Sequence, residues 1–287
     1  MCLLLTVVKF RGPRLSHVIP STAGNTETNT ESVTAVTLLD EQLFIMRSRS
    51  PHVDVYDATT CTFKGRIMIP GLGISNGGPL GLAVCAVYQC IYASDLTLNM
   101  IHRVDLTEGN AVKEWSVGTG PRGLSVNHRH NVVVVCSDCR KIQEYTTHGT
   151  LVREIDLKNA VTEPWHAVQL STGEYVVSDC TSLGAVIVVG ANGRLVRGYH
   201  SLIPEGLGQT EYPRSLVVTK YDDILVADAN RIFSLTSFLR GARKLALPVD
   251  GGIQLPCGLC LGNSRGRLYI GEGGGQCRVL VFDAVRL

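Results

Sequence analysis

Residues 121–157 read PRGLSVNHRHNVVVVCSDCRKIQEYTTHGTLVREIDL, and their pattern indicates the fold most clearly. It holds four short runs rich in β-branched and apolar residues: GLSV, VVVVCSD, KIQEYT and LVREIDL. Polar turns containing Asn, His, Asp and Gly separate them. Short runs bounded by turn residues are typical of β-strands, and no helical period is present. The stretch therefore predicts one small four-stranded antiparallel sheet.

The same pattern recurs along the chain at intervals of 42, 43, 49 and 43 residues, each copy opening at a proline: Pro79-Leu-Gly-Leu, Pro121-Arg-Gly-Leu, Pro164-Trp-His-Ala, Pro213-Arg-Ser-Leu and Pro256-Cys-Gly-Leu. The second run of each copy stops at an acid: Asp95, Asp138, Asp179, Asp228 and Glu272. Residues 33–69 fit the same frame without the proline, with Arg47 in place of the acid. A four-stranded unit cannot bury both of its faces alone, so six copies predict blades stacked around a central channel.

We therefore predict an all-β protein, a six-bladed β-propeller of four-stranded antiparallel blades, forming a single domain over residues 1–287. The predicted blades are 33–73, 79–118, 121–157, 163–201, 212–248 and 255–287. The sixth copy holds only three strands, whereas the strand-like run LLLTVVKF at 3–10 has no partner. We expect 3–10 to supply the outer strand of the last blade, which would remove an open sheet edge. Residues 11–31 would then be a connecting loop.

Composition narrows the class of protein. The chain is 18% charged and 45% hydrophobic, and its net charge of +2 produces no strong field toward nucleic acid or membranes. No apolar run approaches the roughly 20 residues of a membrane span. Several of the ten cysteines lie inside apolar runs, where a free thiol behaves as a small hydrophobe. We expect a cytoplasmic protein with reduced cysteines and no cofactor.

Two Cys-x-x-Cys pairs, Cys136/Cys139 and Cys257/Cys260, raise the question of a metal or redox site. Zinc would need a second pair nearby, but the two pairs belong to blades about three positions apart in the ring. A thioredoxin-like motif needs a βαβ unit, which the strand pattern lacks. Both pairs are therefore predicted to be structural, with no metal. Asp138 is expected to accept backbone N–H groups of the following turn, as its counterparts would.

The repeat resembles the NHL repeat. The shared features are Pro-x-Gly-apolar, an apolar run ending in Ala/Ser-Asp, and a third strand ending in Asp or Thr before a Gly turn. The resemblance covers about residues 33–287, and copies 121–157, 164–200 and 213–248 match best. NHL proteins are six-bladed propellers, most often at the C-terminus of tripartite-motif ubiquitin ligases, where they recognise proteins or, in some members, RNA. The resemblance implies a recognition module. It does not imply ligase activity, because no RING, B-box or coiled-coil pattern is present in this sequence.

Catalysis is not expected. Some six-bladed propellers are metal-dependent hydrolases or lyases, whose Glu, Asn, Asp or His ligands converge on the channel from the starts of the inner strands. In this sequence those positions hold one histidine and no carboxylate: Leu80-Gly81, Arg122-Gly123, Trp165-His166, Arg214-Ser215 and Cys257-Gly258. Such a set does not suit a hard cation, which prefers oxygen ligands.

A partner-binding face is predicted where the proline loops and the loops after the second strands emerge together. Its basic and aromatic residues are expected to point outward, while the repeat acids turn inward: Arg47, Arg49, Arg122, Arg140, Trp165, His166, Tyr212, Arg214 and Arg231. Loops on a rigid scaffold commonly bind partners, and Arg and Trp commonly anchor interfaces. We expect a non-catalytic, monomeric scaffold that binds an extended, acidic protein segment, as in substrate recognition for ubiquitin ligases. It would bind no membrane and no small-molecule substrate.

Single-stranded RNA is the alternative ligand for the same face. Arginines would contact phosphates, and Trp165, His166 or Tyr212 would stack on bases. The weak net charge and the small number of aromatic residues favour a protein partner over RNA.

Overall fold

A computed structural model describes residues 12–21, 31–75, 78–200, 210–262, 266–283 and 285. Within these residues there are 24 β-strands, no α-helix, and thus no helix with the length and apolar character needed to cross a membrane. The strands form six four-stranded antiparallel sheets. They are the blades of a six-bladed β-propeller, which confirms the predicted fold class.

The first half of the ring contains three blades, each formed from four consecutive strands. Blade 1 consists of β2 (Val33–Leu39), β3 (Gln42–Arg47), β4 (His52–Asp57) and β5 (Phe63–Met68). Blade 2 consists of β6 (Pro79–Cys85), β7 (Cys90–Asp95), β8 (Met100–Asp105) and β9 (Val112–Ser116). Blade 3 consists of β10 (Pro121–Val126), β11 (Val132–Cys136), β12 (Lys141–Tyr145) and β13 (Leu151–Asp156).

The second half of the ring differs in its last blade, which takes a strand from the other end of the chain. Blade 4 consists of β14 (Pro164–Gln169), β15 (Tyr175–Asp179), β16 (Ala185–Val189) and β17 (Leu195–His200). Blade 5 consists of β18 (Leu216–Val218), β19 (Ile224–Asp228), β20 (Arg231–Leu235) and β21 (Arg243–Lys244). Blade 6 consists of β22 (Pro256–Leu261), β23 (Leu268–Glu272), β24 (Val279–Asp283) and β1 (Arg14–Ile19).

A strand from the N-terminal part of the chain closes the ring, as predicted, but it is formed by other residues than predicted. The partner of β24 is β1, with Ile19 opposite Val279 and Arg14 opposite Asp283. This strand lies inside the predicted connecting loop 11–31, and the run 3–10 lies outside the described residues. The prediction followed the most apolar segment and was wrong because an outer strand is covered on one face only. In β1, Ile19 is buried whereas Val18 is exposed.

The core is divided among the interfaces between neighbouring blades. Each cluster of buried apolar side chains among the described residues joins two successive blades, for example Phe44 and Ile91 between blades 1 and 2. Tyr92 and Val134 lie together between blades 2 and 3. The second strands of blades 2 to 6 are buried at every position, which agrees with their continuous apolar sequence. The rigidity of the ring therefore depends on contacts between blades.

The glycine of the Pro-x-Gly motif is required by the close approach of first strands around the channel. A Cβ atom at Gly81 would lie 2.2 Å from the carbonyl oxygen of Arg122 in the next blade. A Cβ atom at Gly123 would lie 2.5 Å from Cδ2 of His166. No side chain fits at these distances, so glycine is needed for neighbouring first strands to pack this closely. The same packing holds the residue before each glycine at the channel mouth.

Candidate binding site at the channel mouth

A cavity of about 710 Å³ follows the first strands through the centre of the ring. Trp165, Arg214 and Cys257 line the end at which the first strands begin, and Lys220 and Tyr221 line the other end. Arg214 and Lys220 are charged, and the described residues that line the cavity include no Asp or Glu. A cavity lined by one sign of charge concentrates ligands of the opposite sign. The channel is therefore suited to an anionic group.

Three side chains from successive blades stack at this mouth. Arg122, Trp165 and Arg214 each follow the opening proline of their blade, and we call them the Arg–Trp–Arg stack. The guanidinium carbon of Arg122 lies 4.3 Å from the Trp165 ring centre, and that of Arg214 lies 4.9 Å from it. Guanidinium groups at these distances are attracted by the indole ring. Since the arginines belong to the blades on either side, the indole positions both positive charges.

Hydrogen bonds orient both guanidinium groups. Nε of Arg122 donates to Oγ of Ser137 at 2.7 Å. Nη1 of Arg214 donates to Sγ of Cys257 at 3.1 Å, whereas its buried Nε has no hydrogen-bond partner in the described structure. The two arginines are thus held in place by a hydroxyl, a thiol and an aromatic ring, all of which are neutral.

Within the described part of the chain, neither Arg122 nor Arg214 forms an ion pair. Other arginines near this face are neutralised: Arg47 by Asp54, Arg231 by Asp228 and Arg278 by Glu272. Partial burial of a charge without a counterion is unfavourable, and a bound anion would remove that cost. The Arg–Trp–Arg stack therefore has the electrostatic character of a binding site.

His166 occupies the position that is glycine in blades 2, 3 and 6, and its ring connects three blades. The backbone N–H of Leu216 donates to Nδ1 at 3.0 Å, so Nε2 carries the proton and donates to the Leu124 carbonyl oxygen at 3.0 Å. Burial lowers the pKa of His166 to about 4. Both ring nitrogens are engaged by backbone, which makes His166 a structural residue of the channel wall and leaves neither nitrogen free for acid–base chemistry.

His166 is expected to make the protein less stable as the pH falls from about 6.5 to 4. The unfolded chain binds a proton at the ordinary histidine pKa of about 6.5, but the folded chain resists protonation until about pH 4. The full contribution is present above pH 6.5. For the variant His166→Ser, we expect the free energy of unfolding to depend less steeply on pH in this window, by up to about 1.4 kcal/mol per pH unit. Urea denaturation at several pH values measures both slopes; equal slopes would contradict the assignment.

The acids that end the second strands hold the connectors between blades. Asp95, Asp179 and Glu272 lie opposite the opening prolines of their blades. Four of the five predicted repeat acids accept a backbone N–H from the connector that precedes their blade: Gly73 to Asp95 at 2.7 Å, Glu163 to Asp179 at 2.7 Å, Glu211 to Asp228 at 2.7 Å and Gln254 to Glu272 at 2.8 Å. The sequence assigned these acids to the following turn, and Leu98 N–H does bond Asp95 there at 2.9 Å. Their shared contact, however, is with the preceding connector.

Asp138 does not belong to this set, contrary to the prediction. The residue opposite Pro121 is Cys136, and Asp138 lies two residues further on, exposed to solvent. The connector N–H of Gly118 is instead accepted by Oε1 of Gln143 at 2.7 Å. Because Cys136 cannot accept as a carboxylate does, a third-strand amide takes its place. The shared Ser-Asp dipeptide suggested that Asp138 is equivalent to Asp95. The strand register excludes this, because Cys136 lies opposite the opening proline.

Arg47 is also placed differently from the prediction. Its side chain is 2% exposed, so it does not point outward on a partner-binding face. Nη1 donates to the carbonyl oxygen of Cys277 at 3.0 Å, Nη2 to that of Pro20 at 3.2 Å, and Nε to Asp54 at 3.3 Å. Where blades 2, 4, 5 and 6 have an acid that accepts N–H groups, blade 1 has a cation that donates to carbonyls. Arg47 thereby ties together blade 1, blade 6 and the segment after β1.

The remaining predicted residues are spread around the same face. Arg49 is exposed in the turn between β3 and β4, Arg140 is half-buried in the turn after β11, and Tyr212 is exposed in the connector before β18. Nε of Arg231 donates to Asp228 at 2.9 Å, so its charge is neutralised. The structure brings together Arg122, Trp165, His166 and Arg214. The sequence analysis missed Ser137, Gln143 and Lys220, and a systematic alignment of strand positions could have pointed to Gln143.

No protein-family model and no curated protein matches the sequence, so the resemblance to NHL repeats stays a prediction. Solved structures do match the fold. Hydrazine synthase from Kuenenia stuttgartiensis has a TM-score of 0.66 at 19% identity, over 92% of this chain and 80% of that one. A streptogramin B lyase has a TM-score of 0.64 at 13% identity, over 96% of this chain and 98% of that one. Virginiamycin B lyase from Staphylococcus aureus has a TM-score of 0.64 at 14% identity, over 94% and 88%.

At these identities the likenesses show the fold alone. The neighbours include enzymes, so a ring of this shape is compatible with catalysis as well as with binding. Within the described residues, no group of three or more His, Cys, Asp or Glu side chains is arranged to hold a metal ion.

Proposed function

We propose that this protein is a non-catalytic recognition module whose channel mouth binds an acidic, extended segment of a partner protein. The observation that carries the proposal is a pair of arginines that form no ion pair with any described residue. Both are positioned on Trp165 at the mouth of a cavity with no described carboxylate in its lining. A carboxylate that reached this point would gain charge-assisted hydrogen bonds from guanidinium groups that are already oriented. A role in substrate recognition for ubiquitin ligases is a finer form of the same proposal.

A protein segment suits the site better than RNA does. Base stacking requires an open aromatic face, and the indole of Trp165 is already approached by a guanidinium from each neighbouring blade. His166 is fixed by two backbone hydrogen bonds. Tyr212, at 45% exposure, is the predicted stacking residue that remains free to meet a base. Non-specific RNA binders usually present several such platforms.

The test is a selection from a random peptide display library at physiological salt, followed by affinity measurement of the enriched peptides by fluorescence anisotropy. We expect peptides rich in Asp and Glu. In the double variant Arg122→Glu/Arg214→Glu, affinity should fall roughly 100-fold, because two attractive charge contacts become repulsive. The matched control is Arg194→Glu/Arg240→Glu, which makes the same change of net charge in exposed loops between third and fourth strands. Its affinity should change less than threefold.

Two results would contradict the proposal. One is selection of the same peptides by the wild type and the Arg122/Arg214 double variant. The other is binding of a U-rich single-stranded RNA at micromolar concentration with a steep dependence on salt, which would support the RNA alternative.

A further inference from the structure

The turn from Cys136 to Cys139 contains two free thiols and Ser137, which accepts a hydrogen bond from Arg122 of the Arg–Trp–Arg stack. Their sulfur atoms lie within 3.0 and 3.2 Å of a single point, the position that a Cβ atom would occupy at Gly118. Sγ of Cys139 also lies 3.7 Å from the carbonyl oxygen of Cys136. Cys136 is buried and Cys139 is half-buried, so an external reagent reaches Cys139 first.

The residue between these cysteines is an anchor of the proposed binding site. Oγ of Ser137 accepts the hydrogen bond from Nε of Arg122, and Arg122 is one of the two guanidinium groups on Trp165. The backbone N–H of Ser137 donates to the carbonyl oxygen of Gly120 at 2.8 Å, immediately before the first strand of the blade. A change in the conformation of this turn is therefore transmitted directly to Arg122.

Cys136 has a second connection, to the connector that leads into blade 3. Its thiol donates to Oε1 of Gln143 at 3.4 Å, and the same oxygen accepts Gly118 N–H and the Tyr145 hydroxyl. Burial, together with the neighbouring Cys139, raises the pKa of the Cys136 thiol. Loss of the S–H proton would remove one of the three donors that orient Gln143.

We propose that Cys136 and Cys139 form a reversible disulfide that controls the position of Arg122 and thereby regulates the channel-mouth site. The regulatory consequence rests on the proposed function, whereas the disulfide and the movement of Arg122 do not. The oxidant class is a peroxide. Oxidation closes the turn on Ser137 from both sides and removes the thiol donor to Gln143, so that Arg122 loses its anchor and the stack is disrupted.

The chemistry has two steps. Sγ of Cys139 attacks one oxygen of hydrogen peroxide, the O–O bond breaks, and the thiol proton leaves with the departing hydroxide as water. Sγ of Cys136 then attacks the sulfur of the resulting sulfenic acid, the S–O bond breaks, and hydroxide leaves with the Cys136 proton as a second water. Two thiols and one peroxide become one disulfide and two waters. Thiol–disulfide exchange with a reductant reverses the product.

The first measurement is a count and map of the thiols. The chain is treated with hydrogen peroxide, free thiols are alkylated, and peptides are mapped by mass spectrometry. We expect the ten thiols of the full chain to fall to eight, with the 136–139 peptide two hydrogens lighter. Cys139→Ser should abolish this loss. Cys61→Ser, which removes another half-buried thiol in a different blade, should leave it unchanged.

The second measurement follows Trp165, which reports on Arg122 without any ligand. Its emission is obtained by subtracting the spectrum of Trp165→Phe, and it should change on oxidation and return on reduction. Affinity for the selected acidic peptides should fall roughly fivefold on oxidation, because one guanidinium contact is lost.

The inference is overturned if peroxide leaves all ten thiols reactive, if the 136–139 peptide gains oxygen and forms no disulfide, or if the disulfide forms while Trp165 emission is unchanged. If the reduced protein selects no acidic peptide, the proposed function fails, yet the thiol map and the Trp165 emission still decide the redox inference.

Discussion

Deleting residues 1–19 is expected to lower the free energy of unfolding by at least about 5 kcal/mol relative to a variant that begins at Gly12. Both variants lack the residues before position 12, so the comparison isolates β1. The deletion removes Ile19, which is 2% exposed in the cluster between blades 6 and 1. It also removes the backbone ladder along β24 and the hydrogen bond from the Ser16 hydroxyl to the Val281 carbonyl oxygen. Urea denaturation measured through tryptophan fluorescence gives both free energies.

The same deletion has a second consequence, in self-association. The backbone of β24, whose side chains from Val279 to Phe282 are buried, would become an exposed sheet edge. Open edges pair with other chains, so size-exclusion chromatography should show oligomers of the shorter variant that the longer one lacks. Equal stabilities and equal elution volumes would show that β1 does not hold the ring closed.

Replacing Arg47 with methionine is expected to destabilise the fold by roughly 3–5 kcal/mol, the range for removing one partner of a buried ion pair. The substitution leaves Asp54 without its buried cation and leaves the carbonyl oxygens of Pro20 and Cys277 without a donor. Methionine fills much of the same volume, so the loss reports on charge and hydrogen bonding more than on packing. Thermal and urea unfolding measure the difference.

Arg66→Gln is the matched control for Arg47. Arg66 also pairs with Asp54, at 2.8 Å, but its side chain is 49% exposed. An exposed ion pair contributes at most about 1 kcal/mol, and this variant should stay within that range of the wild type. Equal effects of Arg47→Met and Arg66→Gln would mean that the contacts of Arg47 to the chain ends add nothing to closure.

The predictions for β1 and Arg47 concern residues that hold the ring together, and these differ from the residues available to bind a partner. Arg47, His166 and the four acids Asp95, Asp179, Asp228 and Glu272 lie at the channel-mouth end, and each forms hydrogen bonds with neighbouring backbone. Arg122 and Arg214 differ because aromatic and neutral groups position them and neither forms an ion pair within the described structure. Structural residues and candidate binding residues therefore differ in whether their charge is paired. The pattern of the amino-acid sequence does not show which charges are paired.

The six-bladed architecture could be predicted from the amino-acid sequence alone. Prolines, turn residues and apolar runs recur at nearly constant spacing, and each blade can bury its faces only against another. The sequence also placed Arg122, Trp165 and Arg214 at equivalent positions at the channel mouth, with His166 one residue further along its blade. The folded chain was needed to show that β1 closes the ring in place of residues 3–10, since a strand covered on one face carries a weak apolar signal. It also showed that Cys136, and not Asp138, lies opposite Pro121, and that Arg47 is buried. Strand register and the pairing of charges depend on which backbones meet across blades, and that is a property of the closed ring.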